Sequence, residues 1–182
     1  IGDSTVTDAK GWGAAFANAL GGQAQVHNFA KGGRSAKSYT DEQRLPAALA
    51  VNPDYVFLQF GHNGQPGKGA YRETDPDGNY RDYLRAFVMA IRKAGAEPVI
   101  VSSVTRRKFV ADDEIATSLT PWARGAQAVA EELDVPFVDL HARSIAYHER
   151  IGPWRSLLFD FAPGDITHLN ALGANVVTGL IF

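Results

Sequence analysis

Three side chains, one near the start of this chain and two near its end, are of the types that carry out nucleophilic hydrolysis. Ser4 follows the pair Gly2-Asp3, and Asp165 stands three residues before His168. Serine, aspartate and histidine are the side chains of a hydrolase triad, in the chain order seen here. A serine hydroxyl is a weak nucleophile until a base takes its proton. A carboxylate bonded to one ring nitrogen of His168 would leave the other nitrogen free to be that base.

Each of these motifs also has a purely structural interpretation. Asp3, Ser4 or Thr5 could cap the helix expected after them. In the catalytic interpretation the same helix start would place Ser4 in a positive field from free backbone N–H groups. Asp165 and Thr167 could make only local backbone bonds in a surface turn. The residues alone therefore leave both interpretations open.

Two loop residues between these motifs are candidates for stabilising an oxyanion. A tetrahedral intermediate needs preorganised donors, and a backbone N–H and an asparagine amide can supply them without a change of charge. Gly33 would let a substrate approach its backbone closely, and Asn63 follows Gly61-His62. For each of them, ordinary turn chemistry is the alternative. His62 is a candidate for lining the same pocket.

The composition excludes several other kinds of chemistry. The chain has 182 residues, a net charge of −2 and no cysteine, so it offers no thiol nucleophile, no disulfide and no global basic field for nucleic acid. Its five histidines show no paired ligand spacing, and we expect no catalytic metal. The glycines around residue 33 lack the Gly-Lys-Ser/Thr ending of a phosphate loop. No apolar run approaches the ~20 residues of a membrane span. The length predicts a single domain over residues 1–182.

Strands and helices alternate along the chain. Short apolar runs predict strands at 25–29, 55–60, 98–103 and 136–140, and helical spacing predicts helices at 11–20, 80–94, 121–133, 143–150 and 170–180. Thr120 is the expected N-cap of the third of these helices, and Asn170 that of the last. Such alternation predicts a parallel sheet with helices on both faces, and ligands at the carboxyl ends of the strands. The Ser4, Gly33 and Asn63 motifs fall at those ends.

Two features depart from this regular pattern. A serine at a strand-to-helix turn needs a strand before it, and only Ile1 is available to form one. We therefore expect that the natural chain is longer upstream and that the first strand is largely missing here. Two long loops, at 62–79 and 105–120, also interrupt the alternation, and loops of this length are usually functional or mobile.

Taken in order, the motifs resemble the four sequence blocks of the SGNH (GDSL-like) hydrolases. The blocks are Gly2-Asp3-Ser4, Gly33, Gly61-His62-Asn63 and Asp165-x-x-His168, and the resemblance covers essentially the whole chain. The segments 28–38, 59–63, 73–76 and 104–109 look like the rhamnogalacturonan acetylesterase branch of that superfamily. One departure is Gly64, where the branch usually has aspartate.

The resemblance implies a fold, an activity and roles for the site residues. The implied fold is a three-layer, flavodoxin-like α/β arrangement with a parallel sheet of about five strands flanked by helices. Ser4 would be the nucleophile, His168 the base and Asp165 its partner, and the oxyanion hole would combine the N–H groups of Ser4 and Gly33 with the Asn63 side chain. The implied reaction is the removal of acetyl groups from pectic polysaccharide, with no cofactor and no metal.

Substrate contacts and partners are expected around this site. Asp3, His62, Arg106 and Arg107 are candidate substrate-binding residues. Lys68, Arg72, Arg106, Arg107 and Lys108 lie on loops where they could meet galacturonate carboxylates, although a solvated charge run is the alternative. The expected partner is an acetylated oligo- or polysaccharide, with no nucleic acid and no membrane span, and the protein is expected to be a monomer.

Location and activity both have alternatives. We expect a bacterial protein that is secreted or periplasmic, although a cytoplasmic enzyme acting on imported oligosaccharides is the alternative. The enzymatic alternatives are an SGNH esterase, lipase or thioesterase acting on another ester. The alternative from another class is a catalytically silent carbohydrate-binding domain.

Overall fold

A parallel sheet lies at the centre of the molecule. The computed structural model describes all 182 residues. Strands β1 (Tyr55–Leu58), β2 (Glu97–Val101) and β5 (Phe137–Val138) form the sheet in the order β1-β2-β5, with Leu58 paired to Ile100 and Val101 to Val138. On the other side of β1, Gly2 makes a parallel bridge to Gln59, and the Gln59 N–H donates to the Ile1 carbonyl.

The predicted parallel sheet with flanking helices is confirmed, although its defined strands are fewer than the five expected. The run 25–29 is not a strand. Next to it, a single backbone hydrogen bond reaches this edge of the sheet, from the Lys31 N–H to the Gly2 carbonyl. Ile1 and Gly2 offer that segment very little backbone to pair with. The sheet therefore has three strands and a short added row at Ile1-Gly2.

Seven helices surround the sheet. They are α1 (Gly13–Ala19), α2 (Ala36–Asp41), α3 (Leu45–Leu49), α4 (Asn79–Lys93), α5 (Thr120–Glu132), α6 (Leu140–Ser156) and α7 (Ala171–Gly179). A short 3-10 helix covers Leu157–Phe159, and a separate antiparallel hairpin, β3 (Phe109–Ala111) and β4 (Glu114–Ile115), lies within the second long loop. No helix is long and apolar enough to cross a membrane.

Side-chain alternation along β1 divides the core into two layers. Val56 and Leu58 pack with buried residues of α2, α4 and α5, whereas Phe57 packs with buried residues of α1, α6 and α7. Successive side chains of a strand point to opposite faces, so this central strand supplies both layers. The result is the helix–sheet–helix arrangement of a flavodoxin-like fold.

The helix ends agree with the sequence in one case and differ in others. Asn170 caps α7 as expected, accepting a bond from the Gly173 N–H at 3.0 Å. Thr120 is the first helical residue of α5 and not its N-cap, because its hydroxyl bonds instead to His141 Nε2 at 3.0 Å. α6 is longer than predicted and is kinked at Gly152.

Candidate active site

Ser4 lies in a turn that directly follows the short sheet edge at Ile1-Gly2. The Val6 N–H closes this turn on the Asp3 carbonyl, and the Thr7 hydroxyl donates to the Ser4 carbonyl at 2.7 Å. Helix α1 begins only at Gly13 and has no side-chain cap. The expectation that Ser4 stands at the start of the first helix, in its positive field, is therefore wrong.

A buried chain of hydrogen bonds supports this turn from below. Asp3 Oδ1 accepts bonds from the backbone N–H and the hydroxyl of Thr5, at 2.9 and 2.7 Å. Thr5 Oγ1 in turn accepts from Gln59 Nε2, and Gln59 Oε1 accepts from Trp12 Nε1 at 3.0 Å. These interior bonds lock the side chains on either side of Ser4 and leave its hydroxyl free for another partner.

Asp3 belongs to this support and does not reach the surface. The residue is completely buried, which corrects the expectation that it contacts substrate. Burial alone acts to raise the pKa of Asp3, but His62, whose Nδ1 lies 3.6 Å from Asp3 Oδ2, and the Thr5 donors outweigh it. The pKa of Asp3 consequently lies below its ordinary value.

Asp165 and His168 meet within one turn, as their spacing predicts. His168 Nδ1 lies 2.9 Å from Asp165 Oδ2, and Asp165 Oδ1 accepts the backbone N–H groups of Thr167 and His168. Burial acts to raise the pKa of Asp165, but the hydrogen bonds from His168 and Thr167 have the larger combined effect. The pKa of Asp165 therefore lies below its ordinary value. Asp165 is therefore held as a carboxylate that fixes the orientation of the imidazole.

The structure brings His168 and Ser4 into direct contact. His168 Nε2 lies 2.8 Å from Ser4 Oγ, although the two residues are 164 positions apart in the chain. The hydroxyl, the imidazole and the carboxylate thus form one continuous line of hydrogen bonds. This arrangement can take a proton from Ser4 Oγ as the oxygen attacks an electrophile.

The three candidate oxyanion donors belong to residues that line the same cavity. A Cβ built on Gly32 would stand 3.5 Å from Ser4 Cβ, so the loop that carries Gly33 lies against the nucleophile. Gly33 has a φ of +77°, a conformation that glycine adopts without strain. Neither the Ser4 N–H nor the Gly33 N–H donates to another protein group. The Asn63 amide gives one bond to the Arg34 carbonyl at 3.1 Å, which fixes its orientation.

These groups open into one cavity of about 790 Å³. Ser4, Gly33, Asn63 and His168 all line it. His62 lines it too, but this residue is only 3% exposed and both of its ring nitrogens are buried without a hydrogen-bond partner. His62 therefore forms part of the wall of the cavity, and its ring nitrogens are not exposed to solvent.

Basic side chains line the cavity. Its lining includes five basic side chains and no aspartate or glutamate; they are Lys10, Lys31, Arg34, Lys68 and Arg106. Arg34 is paired with Glu42. Hydrogen bonds from Tyr71, Arg34 and Arg44 lower the pKa of Glu42 to about 2, although burial of the carboxylate acts to raise it. The other four cations have no carboxylate partner. The cavity therefore favours an anionic ligand.

The two neighbouring arginines that were expected to contact substrate have different environments. Arg106 lines the cavity and donates to Gln65 and to the His62 carbonyl. The Arg107 side chain is only 1% exposed and is paired with Asp160. The expectation of a substrate contact is therefore corrected for Arg107. Lys108 also does not line the cavity, and Arg72 reaches towards Gly33 from the first long loop.

Gly64 lies at a crowded point behind the Asn63 loop. A Cβ at this position would overlap Thr74 Oγ1 and would stand 3.0 Å from Trp122 Nε1. Trp122 Nε1 donates to Thr74 Oγ1 at 3.1 Å, so these two side chains fill the space that a side chain at position 64 would need. This packing gives a physical reason for glycine where the resembling branch usually has aspartate.

The molecule has no group of three or more histidine, aspartate or glutamate side chains that could hold a metal ion. The site described above consists only of serine, histidine, carboxylate, amide and backbone groups. A parallel α/β fold with this arrangement at the carboxyl edge of its sheet has the geometry that serine-type hydrolysis requires.

Comparison with known proteins identifies the family. Residues 1–176 match the model of the GDSL-like lipase/acylhydrolase family. A rhamnogalacturonan acetylesterase, RhgT of Bacillus subtilis strain 168, is 36% identical over 99% of this chain and 85% of its own length. The chain therefore belongs to the GDSL-like lipase/acylhydrolase family, as the four motifs predicted.

Solved structures agree on the fold. The YxiM protein of Bacillus subtilis superposes with a TM-score of 0.86 at 27% identity, over 99% of this chain and 53% of that one, so the present chain spans about half of YxiM. An acetyl-xylooligosaccharide esterase from a Geobacillus species superposes with a TM-score of 0.75 at 17% identity, over 98% and 89% of the two chains. At that identity the second comparison supports the fold alone.

Proposed function

We propose that this protein is a carbohydrate acetylesterase and that its natural substrate is an acetylated pectic polysaccharide of the rhamnogalacturonan type. The observation that carries the reaction is the line from Ser4 Oγ to His168 Nε2 to Asp165, which opens into the cavity. Membership of an acylhydrolase family and the similarity to RhgT support the acetyl ester.

The proposed reaction has two steps. His168 Nε2 takes the proton of Ser4 Oγ, and this oxygen attacks the acetyl carbonyl carbon. The resulting oxyanion receives hydrogen bonds from the N–H groups of Ser4 and Gly33 and from the Asn63 amide. His168 then gives the proton to the departing sugar oxygen, which leaves an acetyl group on Ser4. A water molecule loses a proton to His168, attacks this acetyl group, and acetate leaves as Ser4 regains its proton.

The charge of the cavity supports an anionic sugar. Lys10, Lys31, Lys68 and Arg106 line it without carboxylate partners. Galacturonate residues of a pectic chain carry carboxylates, whereas a neutral acetylated xylan carries none. Because a polymer does not cross a membrane, we also propose that the protein acts outside the cytoplasm when its substrate is the intact polysaccharide.

One experiment tests the enzyme against its alternatives. Acetate release is measured from acetylated rhamnogalacturonan, acetylated xylan and p-nitrophenyl acetate, with the wild type and with Ser4→Ala. We expect the wild type to be most active on the pectic substrate and Ser4→Ala to retain less than about 1% of that rate, because no other side chain replaces the nucleophile.

Covalent labelling separates an esterase from a silent binding domain. A fluorophosphonate should label the wild type at Ser4 and leave Ser4→Ala unlabelled. Glycan binding without labelling and without acetate release would contradict the proposal. Faster acetate release from xylan than from the pectic substrate would agree with an esterase and would overturn the substrate assignment.

A further inference from the structure

The buried arginine next to the cavity makes direct contacts with the turn that carries Asp165 and His168. One Arg107 nitrogen, Nη2, donates to the carbonyl oxygens of both Asp165 and His168, each at 2.7 Å. The Arg107 backbone N–H donates to the Ile166 carbonyl at 2.9 Å. Three of the four residues in this turn are thus bound to a single residue from another part of the chain.

Asp160 compensates the buried charge and fixes the direction of the guanidinium group. Its Oδ1 accepts bonds from Arg107 Nε and Nη2 at 3.0 and 2.9 Å, and its side chain is 6% exposed. Asp160 also forms an antiparallel bridge with Leu169, directly after His168. The backbone of Asp160 is therefore joined to the chain directly after the turn that the guanidinium group binds.

This arrangement bears on the reaction through geometry. His168 must keep Nδ1 on Asp165 and Nε2 on Ser4 at the same time, and displacement of a reacting group by about 1 Å can cost about a hundredfold in rate. All of the hydrogen bonds to the Asp165 carboxylate come from within the turn itself. Arg107 ties three of the four residues of the turn to the body of the protein.

We propose that Arg107, held by Asp160, is a positioning residue that keeps Asp165 and His168 aligned with Ser4. The proposal rests on the function proposed above. Arginine suits this role because its planar group presents several donors in a fixed fork, whereas lysine has a single freely rotating ammonium group. Lysine at this position would keep the charge and lose the geometry.

The test compares kcat and KM for p-nitrophenyl acetate in Arg107→Lys and in a matched control. We expect Arg107→Lys to lower kcat about tenfold to a hundredfold with KM changed less than about twofold, measured well below its unfolding temperature. The control is Ile91→Ala, which removes a buried side chain from the opposite layer of the core and should lower the unfolding temperature without lowering kcat.

A spectroscopic readout does not depend on turnover. The proton shared by His168 Nδ1 and Asp165 should give a downfield nuclear magnetic resonance signal in the wild type and in Ile91→Ala, and the signal should be lost or shifted in Arg107→Lys. An unchanged kcat and signal in folded Arg107→Lys, or a rise in KM alone, overturns the positioning role. A wild type that hydrolyses no ester but shows the expected signals contradicts the proposed function and leaves the positioning role supported.

Discussion

The asparagine of the proposed oxyanion hole has one of its two amide hydrogens already engaged. Asn63 Nδ2 donates to the Arg34 carbonyl, which leaves its second N–H for a ligand. The Arg34 side chain is itself held by Glu42, so the orientation of the amide depends on a fixed neighbour. A preorganised donor of this kind acts chiefly on the transition state.

Replacement of Asn63 by alanine should therefore affect turnover more than binding. We expect Asn63→Ala to lower kcat about 10²–10³-fold on p-nitrophenyl acetate with a small change in KM, because one oxyanion donor is lost. Steady-state kinetics measure both constants, and a thermal unfolding curve serves as the control for an intact fold. A kcat within about threefold of the wild type would remove Asn63 from the oxyanion hole.

The sequence pointed to Ser4, Asp165 and His168 as candidates but did not indicate that Arg107 binds the turn carrying two of them. Ser4, Asp165 and His168 could be predicted because their chemistry and chain order are distinctive. The support role of Arg107 could not, because Arg106 and Arg107 are identical in type. Only the folded structure separates them, because Arg106 lines the cavity and Arg107 is buried against Asp160.

At the scale of elements, the Asn63 loop depends on close packing against α5. Gly64 has no room for a side chain because Thr74 Oγ1 and Trp122 Nε1 occupy the space. The Thr74 N–H also donates to the Gly64 carbonyl at 2.9 Å. The start of the first long loop is therefore fixed by its own later residues and by the first turn of α5.

A double-mutant cycle tests this packing. Gly64→Ala should lower the free energy of unfolding by about 1–3 kcal/mol, because the added methyl group overlaps its neighbours. In a Thr74→Ala background, Gly64→Ala should lower the free energy of unfolding by at least about 0.5 kcal/mol less, because the Thr74 hydroxyl no longer occupies the space. Urea unfolding measures all four proteins.

A second glycine provides the control for this cycle. Gly179→Ala, at the end of α7, meets open space and should be neutral or slightly stabilising. Equal costs of Gly64→Ala in the two backgrounds would show that Thr74 is not the obstacle.

The long amphipathic helices were the most predictable elements. α4 and α5 fall within about one residue of their predicted ranges, because apolar residues at helical spacing pack onto the sheet. The short helices α2 and α3 and the β3–β4 hairpin were not predicted. They are too short for a periodic pattern, and contacts distant in sequence, such as Glu149 on the Ile115 N–H, hold the hairpin in place.

Over the whole molecule, charge is distributed unevenly. The net charge is −2, yet the cavity is lined by five cations and by no carboxylate. A slightly acidic protein therefore presents a basic site. Such a local field raises the concentration of an anionic ligand at the cavity and is weakened by salt, whose Debye length is about 10 Å at 0.1 M.

The double variant Lys31→Gln and Lys68→Gln should expose this effect. We expect its KM for acetylated rhamnogalacturonan to rise several-fold at low salt, and the wild-type KM to rise in the same direction between about 20 and 300 mM salt. Both proteins should hydrolyse the neutral p-nitrophenyl acetate alike. Lys93→Gln, at the end of α4 and outside the cavity lining, is the control for charge alone. A salt-independent KM on the anionic substrate would contradict the electrostatic role of the cavity.

The contact between Ser4 and His168 also has a consequence for how the protein folds. It joins residues 164 positions apart, and the Leu169 N–H bond to the Lys10 carbonyl closes the same long loop. Loops of this length are entropically costly to close, so such contacts form after the local helices. A refolding chain will therefore regain its helical circular dichroism before its two distant segments meet. Recovery of ester hydrolysis will report the completion of folding, and no isolated half of the chain will show it.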